Sequence, residues 1–170
     1  MSSEDYIFNS EIISVKNNNN IFKLSSPINI ISPKMRVMYP IQQRYGQIIM
    51  KLEFSRIKER TEIAEFYNLV QDIESHYAQK FFKYKNKTYN IKSQINQIKH
   101  YCPFLIVKVP MLNKRPNIDV ECPKESGITT IYDIKQNYYI SACIYIDTIW
   151  VNNDTNEIII KWKARKIYMM

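Results

Sequence analysis

Lys161, Lys163 and Arg165 recur at every second position near the end of the chain. On a β-strand that spacing puts three cations on one face, because successive side chains alternate. Such a row can track a phosphodiester backbone. The segment before it, 138–151, supplies flat rings. Tyr139, Ser141, Cys143, Tyr145 and Asp147 share one parity. Tyr138, Ile140, Ala142, Ile144, Ile146 and Trp150 share the other, which is more apolar and is the expected core face. Tyr139 and Tyr145 are therefore the stacking candidates, and a stacked base contributes about 1–3 kcal/mol. Trp162, Ala164 and Tyr168 lie on the opposite face of the last strand, and Trp150 and Trp162 read as core residues. Lys34 and Arg36 share a face of a short segment and form a second phosphate pair. Lys51 stands between apolar neighbours on its strand and can point into a groove. Each feature alone also describes an ordinary solvated face, and lysine is a common guard of sheet edges.

The distribution of charge separates these readings. Between Glu74 and Asp119 there is no acidic residue, while Lys80, Lys83, Lys85, Lys87, Lys92, Lys99, Lys108, Lys114 and Arg115 supply nine basic ones. A random scatter of 16 acids over 170 residues would rarely leave that gap. Tyr77, Phe81, Phe82, Tyr84, Tyr89, Tyr101 and Phe104 run through it. Cations interleaved with rings suit a single-stranded nucleic acid, charge for phosphates and π-faces for bases. The enrichment in Ile, Lys, Asn and Tyr fits AT-rich coding, which accounts for many lysines. It does not account for a stretch without Asp or Glu directly after a helix crowded with them. The nucleic-acid candidates are Lys34, Arg36, Lys51, Lys83, Lys85, Lys87, Lys108, Tyr139, Tyr145, Lys161, Lys163 and Arg165.

Composition excludes much else. Gly46 and Gly127 are the two glycines, so neither a Walker loop nor a dinucleotide-binding turn can be written. Cys102, Cys122 and Cys143 lie about 20 residues apart with no CxxC pair, which argues against zinc and for reduced thiols. No nucleophile elbow or other local catalytic signature is present. The reading is a non-enzyme with no cofactor and no metal. No apolar run reaches the ~18 residues of a membrane span, and the acidic, polar start is not a secretory signal. The expected location is intracellular. The net charge of +8 agrees with a polyanionic partner.

These residues need strands to hold them. Residues 6–15 read as a first strand, Asn17–Asn20 as a loop, and 21–32 as a short edge strand containing Pro27. Residues 34–39 alternate and stop at Pro40. Ile48, Met50, Leu52 and Phe54 face one way, with Ile49, Lys51 and Glu53 opposite, the mark of a half-buried strand. A helix is expected over about 61–82, capped by Thr61, with Ile63, Phe66, Val70, Ile73, Tyr77 and Phe81 as its buried stripe. Residues 83–100 fit a helix or a strand. Residues 104–109 form a strand, 111–127 a long loop, and 138–151 with 157–169 a terminal hairpin turning at Asn152–Asn156. The expected fold is mainly β, an OB-fold-like Greek-key barrel of five or more strands with one inserted amphipathic helix. Residues 1–170 are read as a single nucleic-acid-binding domain, with 1–20 a peripheral strand and flexible Asn-rich loop.

The segments SPKMRVMYPIQQRYGQIIMKLEF (32–54), EIAEFYNLVQDIESHY (62–77), YCPFLIVKVP (101–110) and IDTIWVNNDTNEIIIKWKARKIYM (146–169) resemble, in their order, the OB-fold single-stranded DNA-binding proteins of large cytoplasmic DNA viruses and related virus-like linear plasmids. The resemblance implies a replication accessory that coats single strands without sequence preference or catalysis, in the host cytoplasm or at a viral replication site. Replication proteins are the implied partners, with RNA open beside DNA. Such proteins often carry an acidic C-terminal tail, whereas this chain ends in a basic strand. Glu62, Glu65, Asp72 and Glu74 on the helix are an alternative docking surface. A second reading is a non-catalytic structural or adaptor protein of a virion or replisome, its basic surface docking an acidic protein.

Overall fold

The computed structural model describes residues 10–16 and 18–170. β1 (Ile12–Val15) and β2 (Asn18–Ile31) form a hairpin, followed by β3 (Met35–Val37). β4 (Gln42–Arg44) and β5 (Gln47–Glu53) form a second hairpin before helix α1 (Thr61–Lys85). The short β6 (Asn90–Ile91) and β7 (Ile95–Asn96) lead to β8 (Phe104–Val109). A small hairpin, β9 (Met111–Leu112) and β10 (Arg115–Pro116), precedes β11 (Asp119–Glu121). The chain then runs through β12 (Tyr139–Asn152), β13 (Glu157–Ile160) and β14 (Trp162–Tyr168).

Five strands close a circuit. β3 pairs with β5, β5 with β8, β8 with β14, β14 with β12, and β12 with β3. The β8–β14 pair is parallel and the others are antiparallel. Counting β2–β3 as the first barrel strand, then β5, β8, β12 and β14, the neighbours run first, second, third, fifth, fourth and back to first. That is the Greek-key order of the OB barrel, as expected from the strand pattern. Beyond the barrel the sheet extends through the first half of β2, which carries β1, and through the end of β12, which carries β13 and then β6.

Alternation built the barrel strands. Ile48, Met50 and Leu52 on β5, and Leu105, Val107 and Val109 on β8, are buried. Ile140, Ala142, Ile144 and Ile146 on β12 meet them, with Trp162, Ala164 and Ile167 on β14. Helix α1 lays Ile63, Phe66, Val70, Ile73, Tyr77 and Phe81 on this core. Phe54 meets Phe66 and Tyr67 near its start, and Phe22 meets Phe81 near its end. The helix begins at Thr61 but is capped by Arg60, without a side-chain hydrogen bond, so Thr61 is not its cap. It runs past 82 to Lys85 and stops at Asn86, whose left-handed backbone returns N–H groups to the Phe82 and Lys83 carbonyls.

Several expectations change. Of the strand expected at 6–15, residues 12–15 are strand and 6–9 lie outside the described residues. Asn18–Asn20 open β2 rather than forming a loop, and Asn17 lies outside the described residues. β2 is 14 residues long and lies between β1 and β12, so it is not an edge. Pro27 is tolerated there because the β2–β12 register slips between Ile28 and Lys23, leaving it in a bulge without a ladder partner. The expected loop at 111–127 contains β9, β10 and β11. The terminal strand is broken at Lys161 into β13 and β14.

Candidate nucleic-acid interface

β5, β8, β14 and β12 turn their polar parities outward on one side of the barrel. The registers align them: Ile49 faces Lys108, Lys108 faces Lys163, and Lys163 faces Tyr145. Strands lie about 4.8 Å apart, so this row crosses about 14 Å of surface. It joins two open depressions. The first, about 330 Å³, is lined by Tyr39, Pro40, Gln42, Arg44, Gln47, Ile49 and Lys51. The second, about 420 Å³, is lined by residues that include Asn117, Tyr145, Arg165, Lys166 and Tyr168. Lys108 and Lys163 stand between them.

Cations sit over rings along this path. Lys51 Nζ lies 5.0 Å from the Tyr39 ring and 5.2 Å from that of Phe104. Lys161 Nζ lies 3.7 Å from the Trp150 ring, and the Arg165 guanidinium 4.4 Å from that of Tyr145. Such pairs attract through the ring quadrupole, by about 0.5–1 kcal/mol when exposed. Burial, then the charges of Lys108 and Lys163, pushes the Lys161 ammonium down to about 8. Burial, then the Asp147 carboxylate, pushes the Tyr145 phenol up. Lys108 donates to Gln47 Oε1 at 2.8 Å, and Lys163 pairs with Asp147 at 2.7 Å. The face is thus basic but carries one internal acid.

The expected residues separate into groups. Lys51, Lys108, Tyr145, Lys161, Lys163 and Arg165 come together on this face. Arg36 and Tyr139 are cross-strand neighbours, but Arg36 is occupied. Its Nε donates to Glu53, and its Nη1 donates to Asn137 Oδ1 at 2.9 Å. The bond to Glu53 raises the Arg36 pKa. Lys34 donates to the Met170 carbonyl at 3.4 Å. Lys83, Lys85 and Lys87 are exposed where α1 ends. Lys85 lies over Phe22 and Lys87 over Tyr89, and a helix C-terminus itself favours cations.

Three readings are corrected. Trp150 is not a core residue: the β2–β12 register shifts between Ile146 and Thr148, which reverses the parity and leaves the ring half-buried under Lys161. Tyr168 leaves the core parity at a similar shift between Cys143 and Ile144, and Ile167 is buried instead. Glu74 is no part of an acidic docking face. It is buried, accepting from Ser93 Oγ at 2.6 Å, the Gln94 amide at 3.1 Å and Trp162 Nε1 at 3.2 Å. Tyr39, Tyr45 and Gln47 were not among the sequence candidates. Tyr45-Gly46 forms the β4–β5 turn, both residues having positive φ, and Tyr45 is fully exposed. Such two-residue turns normally select Asn-Gly, so Tyr-Gly between two polar residues was an available signal.

Among the described residues no cluster of three His, Cys, Asp or Glu side chains could hold a metal, and no helix is long and apolar enough to cross a membrane. No family model and no curated protein sequence matches the chain. Solved structures do. The chain is similar to gp2.5, a single-stranded DNA-binding protein encoded by bacteriophage T7, with a TM-score of 0.51 and 8% identity over 85% of this chain and 86% of that one. It is similar to the C-terminally truncated single-stranded DNA-binding protein of bacteriophage Enc34, with a TM-score of 0.54 and 11% identity over 93% and 92% of the two chains. The Enc34 protein in complex with single-stranded DNA gives a TM-score of 0.53 and 10% identity over 94% of each chain. Likeness this extensive at such low identity is a shared fold.

Proposed function

We propose that the outer face of β5, β8, β14 and β12 binds single-stranded DNA without sequence preference, and that the protein coats exposed single strands during replication of a viral or virus-like DNA element. The observation that carries this reading is the register row of Lys108 and Lys163 between two depressions, flanked by Tyr39, Trp150 and Tyr145. The fold shared with two phage proteins described as single-stranded DNA-binding supports it.

The mechanism follows from the side chains. Lysine and arginine neutralise phosphates and release counterions, an attraction blind to sequence. Rings accept any base on their π-face. Each ring near the row is covered by a cation in the free protein, so a stacking base and its phosphate exchange places with that cation: the base takes the ring and the cation takes the phosphate. Replication proteins are the proposed protein partners, and no catalytic step is required of the face.

Titrating fluorescent dT and dA oligonucleotides at two salt concentrations tests the proposal. Micromolar or tighter binding that survives the change of base and weakens steeply with salt is expected. Absence of binding at low salt would overturn it. If heparin fails to displace the oligonucleotide, the site is not a phosphate track. An rU oligomer run alongside shows whether the 2′-hydroxyl matters.

A further inference from the structure

We infer that the exposed ridge of α1 is a self-pairing surface: two copies of this chain associate through antiparallel α1 helices, Glu65 of each against Lys83 of the other. The inference stands apart from the single-strand reading, because the ridge and the lysine row lie on different sides of β14. Trp162 points from that strand to Glu74 on α1. Its neighbour Lys163 points the other way, since side chains alternate along a strand.

Charge along α1 is sorted. Glu62, Glu65, Asp72 and Glu74 come first, and Lys80, Lys83 and Lys85 follow, with no base before Lys80 and no acid after Glu74. Several of these groups are already engaged. Glu74 is buried, Glu62 pairs with Arg60 at 2.6 Å, Lys80 lies 3.9 Å from Glu11, and Lys85 lies over Phe22. What remains is Glu65, Asp72 and Lys83, all exposed and none in an ion pair among the described residues.

These three share one line. At 3.6 residues per turn Glu65 and Lys83 stand at the same angle, about five turns and about 27 Å apart, and Asp72 and His76 lie within about 20° of them. The line is negative at one end and positive at the other, and the flanking Asn68, Leu69 and Gln79 carry no charge. A parallel partner would set Glu65 on Glu65 and Lys83 on Lys83. An antiparallel partner, related by a two-fold axis at the level of Glu74, makes both Glu65–Lys83 pairs at once. It also sets Asp72 opposite His76, so no like charges meet. A surface that complements itself under a two-fold is what an isologous dimer requires.

Exposed pairs contribute little each, and the net charge of +8 repels the copies. At physiological salt that repulsion is screened beyond about 8 Å, while groups in contact are screened less. The dimer is therefore weak and forms at high chain concentration.

The test uses the full chain at physiological salt. Sedimentation equilibrium over rising concentration should show a monomer–dimer equilibrium that goes no further than the dimer. Glu65→Lys and Lys83→Glu should each weaken it about tenfold or more, since each turns two attractive pairs into repulsive ones. Mixed in equal amounts, the two variants should recover a dimer, because the reversals complement each other across the two-fold. Circular dichroism melts check that both are folded. On the parent protein a carbodiimide, which joins a carboxyl to an amine in contact with it, should link Glu65 to Lys83 in the dimer band, read by peptide mass spectrometry. Within one chain the separation of about 27 Å forbids that link. The cross-link needs no variant, so it decides the question even if a reversal unfolds the chain. A chain that stays monomeric up to about 1 mM, growth past the dimer, folded variants whose mixture fails to recover, or cross-links that leave out Glu65 and Lys83 would each overturn the inference.

Discussion

Lys163 and Asp147 sit 2.7 Å apart on a face that is otherwise basic, each about a quarter to a third exposed. Partly exposed pairs contribute about 0.2–1 kcal/mol to stability. In Asp147→Asn the fold should hold within that range. Lys163 is released to a phosphate and one repulsive charge leaves the path, so affinity for dT oligomers should rise about two- to tenfold, read by anisotropy. Weaker binding would show that Asp147 positions Lys163 instead of restraining it. Lys161 gives a pH prediction. In the free protein its pKa lies at about 8. A phosphate beside it favours the ammonium, so binding takes up a proton and affinity should fall as pH rises through 8, at constant salt. Fold stability moves the other way. The folded pKa lies below the ordinary lysine value of 10.5, so the unfolded chain holds the extra proton between about 8 and 10.5, and this group's contribution rises with pH there. At this scale the sequence was half legible. Lys161, Lys163, Arg165 and Tyr145 declared themselves by spacing of two. Trp150 did not, because one register shift reverses parity and nothing in IYIDTIW marks where it falls. Arg36 looked like a free phosphate ligand because its partner Glu53 is a neighbour across strands, not along the chain.

Helix α1 is pinned to the barrel by a polar strut within an apolar seam. Glu74 takes hydrogen bonds from Ser93, Gln94 and the indole of Trp162, the last a fully buried β14 residue. Burial raises the Glu74 pKa despite these three bonds. A carboxyl whose folded pKa is raised contributes most below its unfolded value, and that contribution declines as pH rises from 4.5 toward the folded pKa. Glu74→Gln removes the buried charge and keeps acceptors for the indole and the amide. Its thermal midpoint at pH 7 should equal or exceed that of the parent. Glu74→Ala strands two buried donors, at about 1–3 kcal/mol each, and should lower it by several degrees. A large loss in Glu74→Gln would show that the ionised form is required. The stripe of α1 was legible because period 3.6 is local. The burial of Glu74 was not, since it depends on which strand the helix crosses. The long strands were legible from alternation, while β2 passed for an edge because its bulge at Pro27 is defined only by pairing with β12.

The whole molecule carries a net charge of +8, and the barrel distributes it unevenly. The acid-free stretch from 75 to 118 does not form one surface. It ends α1, supplies β8 to the row, and adds the β9–β10 hairpin. The order of strands around the barrel then brings Lys108 from that stretch beside Lys161 and Lys163 from the far end of the chain, a juxtaposition that a parallel β8–β14 pair creates and no local pattern announces. This face, not basic charge in general, is the proposed seat of the single strand. The direct measurement is the salt dependence of dT binding in two triple variants: Lys108, Lys161 and Lys163 to Gln, and Lys83, Lys85 and Lys87 to Gln. Each phosphate contact on a single strand contributes about 0.7 to the slope of log K against log salt. The barrel-face variant should lose about 2 from that slope and most of its affinity, while the helix-end variant keeps the parent slope. An unchanged slope in the barrel-face variant, or an equal loss in both, would contradict the account.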